Sequence, residues 1–282
     1  MNKILAAVDF SECSMNAFRQ ALNYAKIMEA HLTMVWVDPE TLKFINPSSE
    51  QEDAMTRANE AFEGIWKQYK NDLPHSELKY MVKRGQVYEE IVKTAVAEDA
   101  DMIVAGTHGV SGFKEFWMGS NVFRLIMASP IPVLSIRESA RPKQSISTIV
   151  LPIDSTLETK QKSEVVALLA RHFDSDVHLL SLYSSSVKDI QKLVESYTEE
   201  TRNYLDTENV TCFTAERKGN NITNMTLDYA REVDADLIVI MTEQEIKPTN
   251  LWMGTYARQM VNHSEIPVLS IKPKELVSSL RE

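Results

Sequence analysis

The chain has 282 residues, room for two domains that each bury a core, and its 44% hydrophobic and 25% charged content is that of globular protein. A formal net charge of −10, uninterrupted by any Lys/Arg run, argues against nucleic acid or an anionic membrane as partner. Apolar runs fall short of the ~18 residues of a membrane span, and Cys13 and Cys212, without metal-ligand spacing, read as separate thiols of a cytoplasmic protein.

In chain order, MNKILAAVDF holds too short an apolar run for a leader and is read as a strand over 4–8 that ends at Asp9. A helix follows over 12–29, with Ala17, Ala21, Leu22 and Ala25 on one stripe. Then come a strand at 32–37, a helix at 50–71, a strand at 78–82, a helix at 87–98, a strand at 102–105, a helix at 120–128 and a strand at Val133–Ile136. The strands are continuously apolar rather than alternating, as parallel strands covered on both faces are. Strand and helix alternate throughout, so each half is expected to be an α/β domain: a five-stranded parallel sheet flanked by helices.

The second half repeats the first. DADMIV (99–104) returns as DADLIV (234–239), WMG (117–119) as WMG (252–254) and IPVLSI (131–136) as IPVLSI (266–271), all at an offset of 135. KILAAVDFS (3–11) faces TIVLPIDST (148–156), which sets Asp9 against Asp154. Strands are expected near 149–153, 177–182, 210–215, 237–240 and 268–271, giving domains 1–138 and 147–273. Between them ESARPKQSIS (138–147) is polar and without hydrophobic period, as a linker is.

Four of the eight glycines fall between 106 and 119, directly after a buried strand. Glycine there permits positive φ and lets a ligand approach bare main chain. Gly119 and Ser120 then precede a helix whose unpaired N–H groups and dipole suit a phosphate. If the first and fourth strands are neighbours, Asp9 shares that crevice, where open α/β sheets bind ligands. The loop lacks both a GK[ST] ending and GxGxxG, so an ordinary glycine-rich turn stands beside phosphate binding as a reading.

Gly106, two residues, Gly109, nine residues, then Gly119-Ser120 resembles the G-2x-G-9x-G(S/T) nucleotide motif of the universal stress proteins. Asp9, Gly85, DADMIV and IPVLSI extend the resemblance over nearly all of 1–137, and the second half is similar over about 147–273, with Gly219 in the place of Gly85. The resemblance implies two tandem domains of the adenine nucleotide alpha hydrolase-like fold. It places adenine on Ala7, Val8, Asp9, the main chain near Trp36, Ala105 and Gly106, and ribose and phosphates on Asp9, His108, Gly109, Gly119, Ser120, Asn121 and Val122. ATP or AMP is the implied ligand, with Mg²⁺ reaching Asp9 through the nucleotide. Trp36 is bulkier than the family's usual residue and would stack on adenine or crowd it. Lys114 reads as a solvated loop lysine or a phosphate partner, and His31, His75, His172, His178 and His263 are scattered without ligand spacing.

In the second copy Met241 and Gln244 stand where the first has Gly106 and Gly109, and Glu243, Glu245 and Pro248 interrupt the loop. That half is expected to have lost the nucleotide, its WMG turn remaining as a helix start. The two IPVLSI ends would expose unpaired main chain if left bare. The resemblance implies that Val133–Ile136 and Val268–Ile271 pair within the chain as a pseudo-dimer, with a homodimer of such chains as a further expectation. The leading function is a nucleotide-binding stress-response protein without catalysis. Slow ATP hydrolysis or autophosphorylation, for which no general acid and base pair is visible, and a nucleotide-free interaction module stay open as alternatives.

Overall fold

The computed structural model describes residues 1–39, 49–107, 119–140, 143–242 and 255–273. The first half runs β1 (Lys3–Ala7), α1 (Glu12–Met28), β2 (His31–Pro39), α2 (Ser49–Tyr69), β3 (Leu78–Gly85), α3 (Val87–Ala97), β4 (Met102–Gly106), α4 (Ser120–Ala128) and β5 (Val133–Ile136). The second runs β6 (Thr148–Ile153), α5 (Ser163–Phe173), β7 (Asp176–Tyr183), α6 (Lys188–Thr207), β8 (Cys212–Lys218), α7 (Ile222–Glu232), β9 (Leu237–Met241), α8 (Thr255–His263) and β10 (Val268–Ile271). The expected strands end closest to the observed ones in the sheet's interior. β3 and β8 run on to 85 and 218 rather than 82 and 215, because they are the outer strands and finish in polar residues that hydrophobicity does not mark.

All ten strands form one sheet in the order β3-β2-β1-β4-β5-β10-β9-β6-β7-β8. Every pairing is parallel except β5 with β10, which is antiparallel, with Leu134 opposite Leu269 and Val133 opposite Ser270. Leu134 and Leu269 are repeat equivalents, so a pseudo-two-fold axis passes through that rung, as expected for the paired IPVLSI ends. Both strands are buried at all four residues, and the apolar clusters on the two faces each draw residues from both halves. Burying such a Leu or Ile side chain contributes about 1.5–3 kcal/mol. The pairing is therefore core rather than a surface contact.

The repeated DAD motif has a structural cause. Asp99 and Asp234 take left-handed backbone (φ 52 and φ 48) after α3 and α7, a conformation that Asp tolerates better than most side chains. The second Asp of each motif ties down an incoming strand: Asp101 Oδ2 accepts from Asn2 N (2.6 Å) and Lys3 N (3.0 Å), and Asp236 Oδ2 from Ser147 N (2.7 Å) and Thr148 N (3.0 Å).

The polar segment between the halves is more than a spacer, which corrects the plain-linker reading. One face of α1 holds it: Asn16 donates to Arg137 O (3.3 Å) and Ala140 O, and Gln20 brackets Lys143, donating to its carbonyl and accepting from its N–H, each at 2.7 Å. Lys143 then pairs with Asp236, and Ile146 is buried in the core. Spacing of three and four residues along a helix puts such side chains on one stripe.

Candidate functional site

β1 pairs with β2 on one side and β4 on the other, so the sheet's order reverses between β1 and β4. Ligands of open α/β sheets sit beyond the carboxyl ends of strands at such a switch. Ala7 and Ala105 form the last β1–β4 rung, which brings Ala7, Val8 and Asp9 beside Ala105 and Gly106, as the sequence suggested. β2 continues through Pro39, past its last β1 rung at Val35, so the main chain of Trp36 borders the same opening. The Trp36 ring belongs to the apolar cluster beneath α1 and α2, 6.5 Å from the Phe10 ring.

Asp9 sits in a hydrogen-bonded turn that starts α1. Its Oδ1 accepts from Ser11 N (3.0 Å) and Ser11 Oγ (2.5 Å), and its N–H donates to Ser14 Oγ (3.2 Å). Ser11 is the N-cap of α1, accepting from Ser14 N at 3.2 Å. The carboxylate is thus oriented by its own helix start.

Across the crevice, Thr107 N donates to Ile136 O and Gly119 N to Thr107 O, both at 2.9 Å, which brings the start of α4 back to the end of β4. α4 begins at Ser120 with Gly119 as N-cap and without a side-chain cap. Ser120 and Asn121 are exposed, while Val122 is half-buried against the core. An uncapped helix start offers N–H donors and the positive end of a dipole. His108 and Gly109, together with Lys114, lie outside the described residues.

The glycines of the motif separate by cause. A Cβ on Gly106 would lie 2.9 Å from the carbonyl carbon and from Sγ of Cys13, so α1 itself occupies the space that a side chain would need. The packing of α1 by itself thus accounts for a glycine at 106. Among the described residues a Cβ on Gly119 would meet Thr107 O at 3.4 Å, and Gly119 has an ordinary φ of −56°.

In the second half Asp154 repeats the Asp9 turn, accepting from Thr156 N (2.9 Å) and Thr156 Oγ1 (2.5 Å) and donating from its N–H to Thr159 Oγ1 (3.4 Å). The rest of the crevice differs. β6 and β9 share only the rungs Ile149–Leu237 and Val150–Ile238, and Pro152, aligned with Ala7, has no N–H to extend them. The Pro152 carbonyl instead accepts from Lys162 Nζ at 2.5 Å, and that ammonium also reaches Thr159 Oγ1 at 3.3 Å. Burial pushes the Lys162 pKa down to about 8, with the Asp154 charge opposing the fall. Met241, in the place of Gly106, is buried, and Tyr256, in the place of Asn121, is buried with its hydroxyl 3.1 Å from Thr226 Oγ1. Desolvation raises the Tyr256 pKa. Among the described residues the second half thus carries buried apolar bulk and an internal cation where the first half has Gly106, Ala17 and the exposed Asn121. The acids noted there, Glu243 and Glu245, with Gln244, Pro248 and the WMG turn, lie outside the described residues.

Neither cysteine is in a disulfide, and burial pushes the Cys212 thiol up to about 11, away from an activated nucleophile. His31 Nδ1 accepts from Glu77 N and His178 Nδ1 lies 2.8 Å from Tyr229 Oη, both structural contacts. Among the described residues no group of three His, Cys, Asp or Glu side chains is placed to hold a metal, and no helix is long and apolar enough to cross a membrane.

Comparison with known proteins agrees with this geometry. The model of the universal stress protein family matches residues 1–137 and again 145–272. Universal stress protein YxiE of Bacillus subtilis is 27% identical over 153 residues, covering 48% of this chain and 99% of the relative. A putative universal stress protein of Staphylococcus saprophyticus is 33% identical over 147 residues, 50% of this chain and 86% of its own length. The crystal structure of a universal stress protein from Archaeoglobus fulgidus matches with a TM-score of 0.78 over 97% of both chains at 16% identity, a likeness of fold. The chain therefore belongs to the universal stress protein family, as a tandem member with two of its domains.

Proposed function

We propose that the first half binds an adenine nucleotide, ATP or AMP, and that the chain serves a regulatory stress-response role in the cytoplasm while the second half acts as its structural partner. The observation that carries the reading is Gly119: a glycine of ordinary φ whose Cβ would meet, among the described residues, Thr107 O at 3.4 Å, and which stands before a helix start without a side-chain cap beside Asp9's crevice. Phosphate oxygens are suited to the N–H groups of 119–122, and Asp9 to ribose hydroxyls. Mg²⁺ would arrive with the phosphates, since Asp9 is the one carboxylate of the candidate set. Met241, Lys162 and Tyr256 support assigning the ligand to the first half alone.

Calorimetric titration with ATP, ADP and AMP tests the reading, beside mass spectrometry of nucleotide released from the denatured protein. Heat is expected for the native protein and none for Gly119→Val, whose folded state is checked by urea unfolding, the poorer N-cap costing about 1 kcal/mol. No heat from the native protein with any of the three ends the proposal.

A further inference from the structure

Phe10 has φ 64, left-handed backbone. The other described non-glycine residues with positive φ are Asp, Asn or Glu at turns, so Phe10 is the one large apolar side chain among them. Such a conformation is disfavoured for a bulky residue and persists where the surroundings impose it. Here the ring is anchored, its centroid 5.0 Å from Phe62 on α2 and 6.5 Å from Trp36. The Asp9 turn does not demand this backbone, because Asp154 makes the same bonds to Thr156 while Ser155, aligned with Phe10, is not left-handed.

What accompanies the left-handed residue is the path of the next element. In the first half α1 begins at Glu12 and its first turn crosses β4 so closely that Cys13 fills the space of a Gly106 side chain. In the second half three features change together: Ser155 is not left-handed, Met241 replaces Gly106, and the segment aligned with the first turn of α1 is a 3₁₀ turn, Leu157–Lys162. The alignment has no gap, since Glu29 and Asp174, the left-handed residues that end α1 and α5, are equivalent.

We propose that Phe10 and Gly106 are paired positioning residues: the left-handed backbone of Phe10 aims α1 at β4, the bare Cα of Gly106 receives it, and together they fix Asp9, Ser11 and Ser14 at the mouth of the crevice. The missing side chain of Gly106 then serves the helix. The glycine occurs once because the second half, with a 3₁₀ turn over Leu157–Lys162, has no docked first helical turn to accommodate. The consequence for affinity rests on the nucleotide reading; the positioning itself does not.

Hydrogen exchange of the Ser14 to Ala17 amides in the free protein, followed by ATP titration, tests the pair through Phe10→Gly, Phe10→Ala and Gly106→Ala. Glycine takes left-handed backbone without cost, so Phe10→Gly should exchange like the native protein. Phe10→Ala, with a Cβ but no anchoring ring, and Gly106→Ala, with a Cβ against Cys13, should exchange about tenfold faster there. A general loss of structure would also speed exchange in β7, which should not change. ATP affinity should follow the same order, near native for Phe10→Gly and about tenfold weaker for the two alanine variants. Equal exchange in Phe10→Ala and Phe10→Gly, or native exchange in Gly106→Ala, overturns the proposal. If the native protein binds no ATP, the nucleotide reading fails and the exchange data alone decide the positioning.

Discussion

Lys162 gives the structure a pH signature that can be calculated. Its side chain is buried with its ammonium on the Pro152 carbonyl of β6, and its pKa is pushed down to about 8, against ~10.4 for a lysine in an unfolded chain. Between those values the unfolded state binds more protons at this group than the folded one, so the contribution of Lys162 to stability rises with pH. Below pH 8 both states are protonated and the cost of burying the charge is borne in full. Integrating the linkage from pH 7 to pH 9.5 gives a gain of about 2 kcal/mol. The upper limit avoids the buried tyrosines Tyr24 and Tyr256, whose raised pKa values contribute stability that is lost only as pH climbs beyond the ordinary tyrosine range. Lys162→Met keeps the length of the side chain and removes the titration. Leaving the Pro152 carbonyl without its donor shifts the variant's stability by a constant, not by a slope. Urea unfolding of both proteins at pH 7 and pH 9.5 measures the effect as a difference of differences, in which every other group cancels. Parallel pH profiles for native protein and variant would refute a buried lysine at this position.

Three further outcomes are expected. Asp236→Ala should destabilise by about 3 kcal/mol in urea unfolding, because the carboxylate is buried and holds two amides and Lys143, whereas Asp101→Ala, its exposed equivalent, should lose about 1 kcal/mol. Gln20→Ala frees the Lys143 N–H and leaves its carbonyl to Asn23 Nδ2 at 3.2 Å, so trypsin cleavage after Lys143 should accelerate by about tenfold, read by the appearance of the two fragments. Cleavage at the native rate would mean that α1 does not hold the interdomain segment.

The architecture was legible in the sequence because its signals are local and repeated. Buried parallel strands show as apolar runs, and a duplication announces itself at a fixed offset. Asp9 and Gly119-Ser120 were legible too, since a helix start beyond a strand end needs only chain order. Other features depend on contacts between distant segments. Lys162 reads as one more solvated lysine in LETKQKS, which is equally compatible with an α-helical first turn; only the missing β6–β9 rungs at Pro152 draw it inward. Gly106 reads as ligand-facing because glycine freedom is visible in a sequence while the helix pressed on it is not. The polar composition of 138–147 marks a boundary between repeats correctly, yet it says nothing of Asn16 and Gln20, more than a hundred residues earlier, which hold that boundary in place.

Those contacts also bear on how far the halves can act alone. β5 and β10 are four-residue strands buried throughout, and each is the other's neighbour at the centre of the sheet. Separating the halves would turn both into apolar edges with unpaired main chain, the arrangement that drives strand-to-strand association. α1 adds a second bond between the halves, since its Tyr24 ring packs 5.1 Å from Phe173 of α5 while Gln20 holds Lys143 against Asp236. The helix that starts at the Asp9 turn is therefore the same rigid element that grips the second half. A change at its first turn cannot be confined to the crevice unless the helix bends, and no residue between Glu12 and Met28 is a Pro or Gly that would let it.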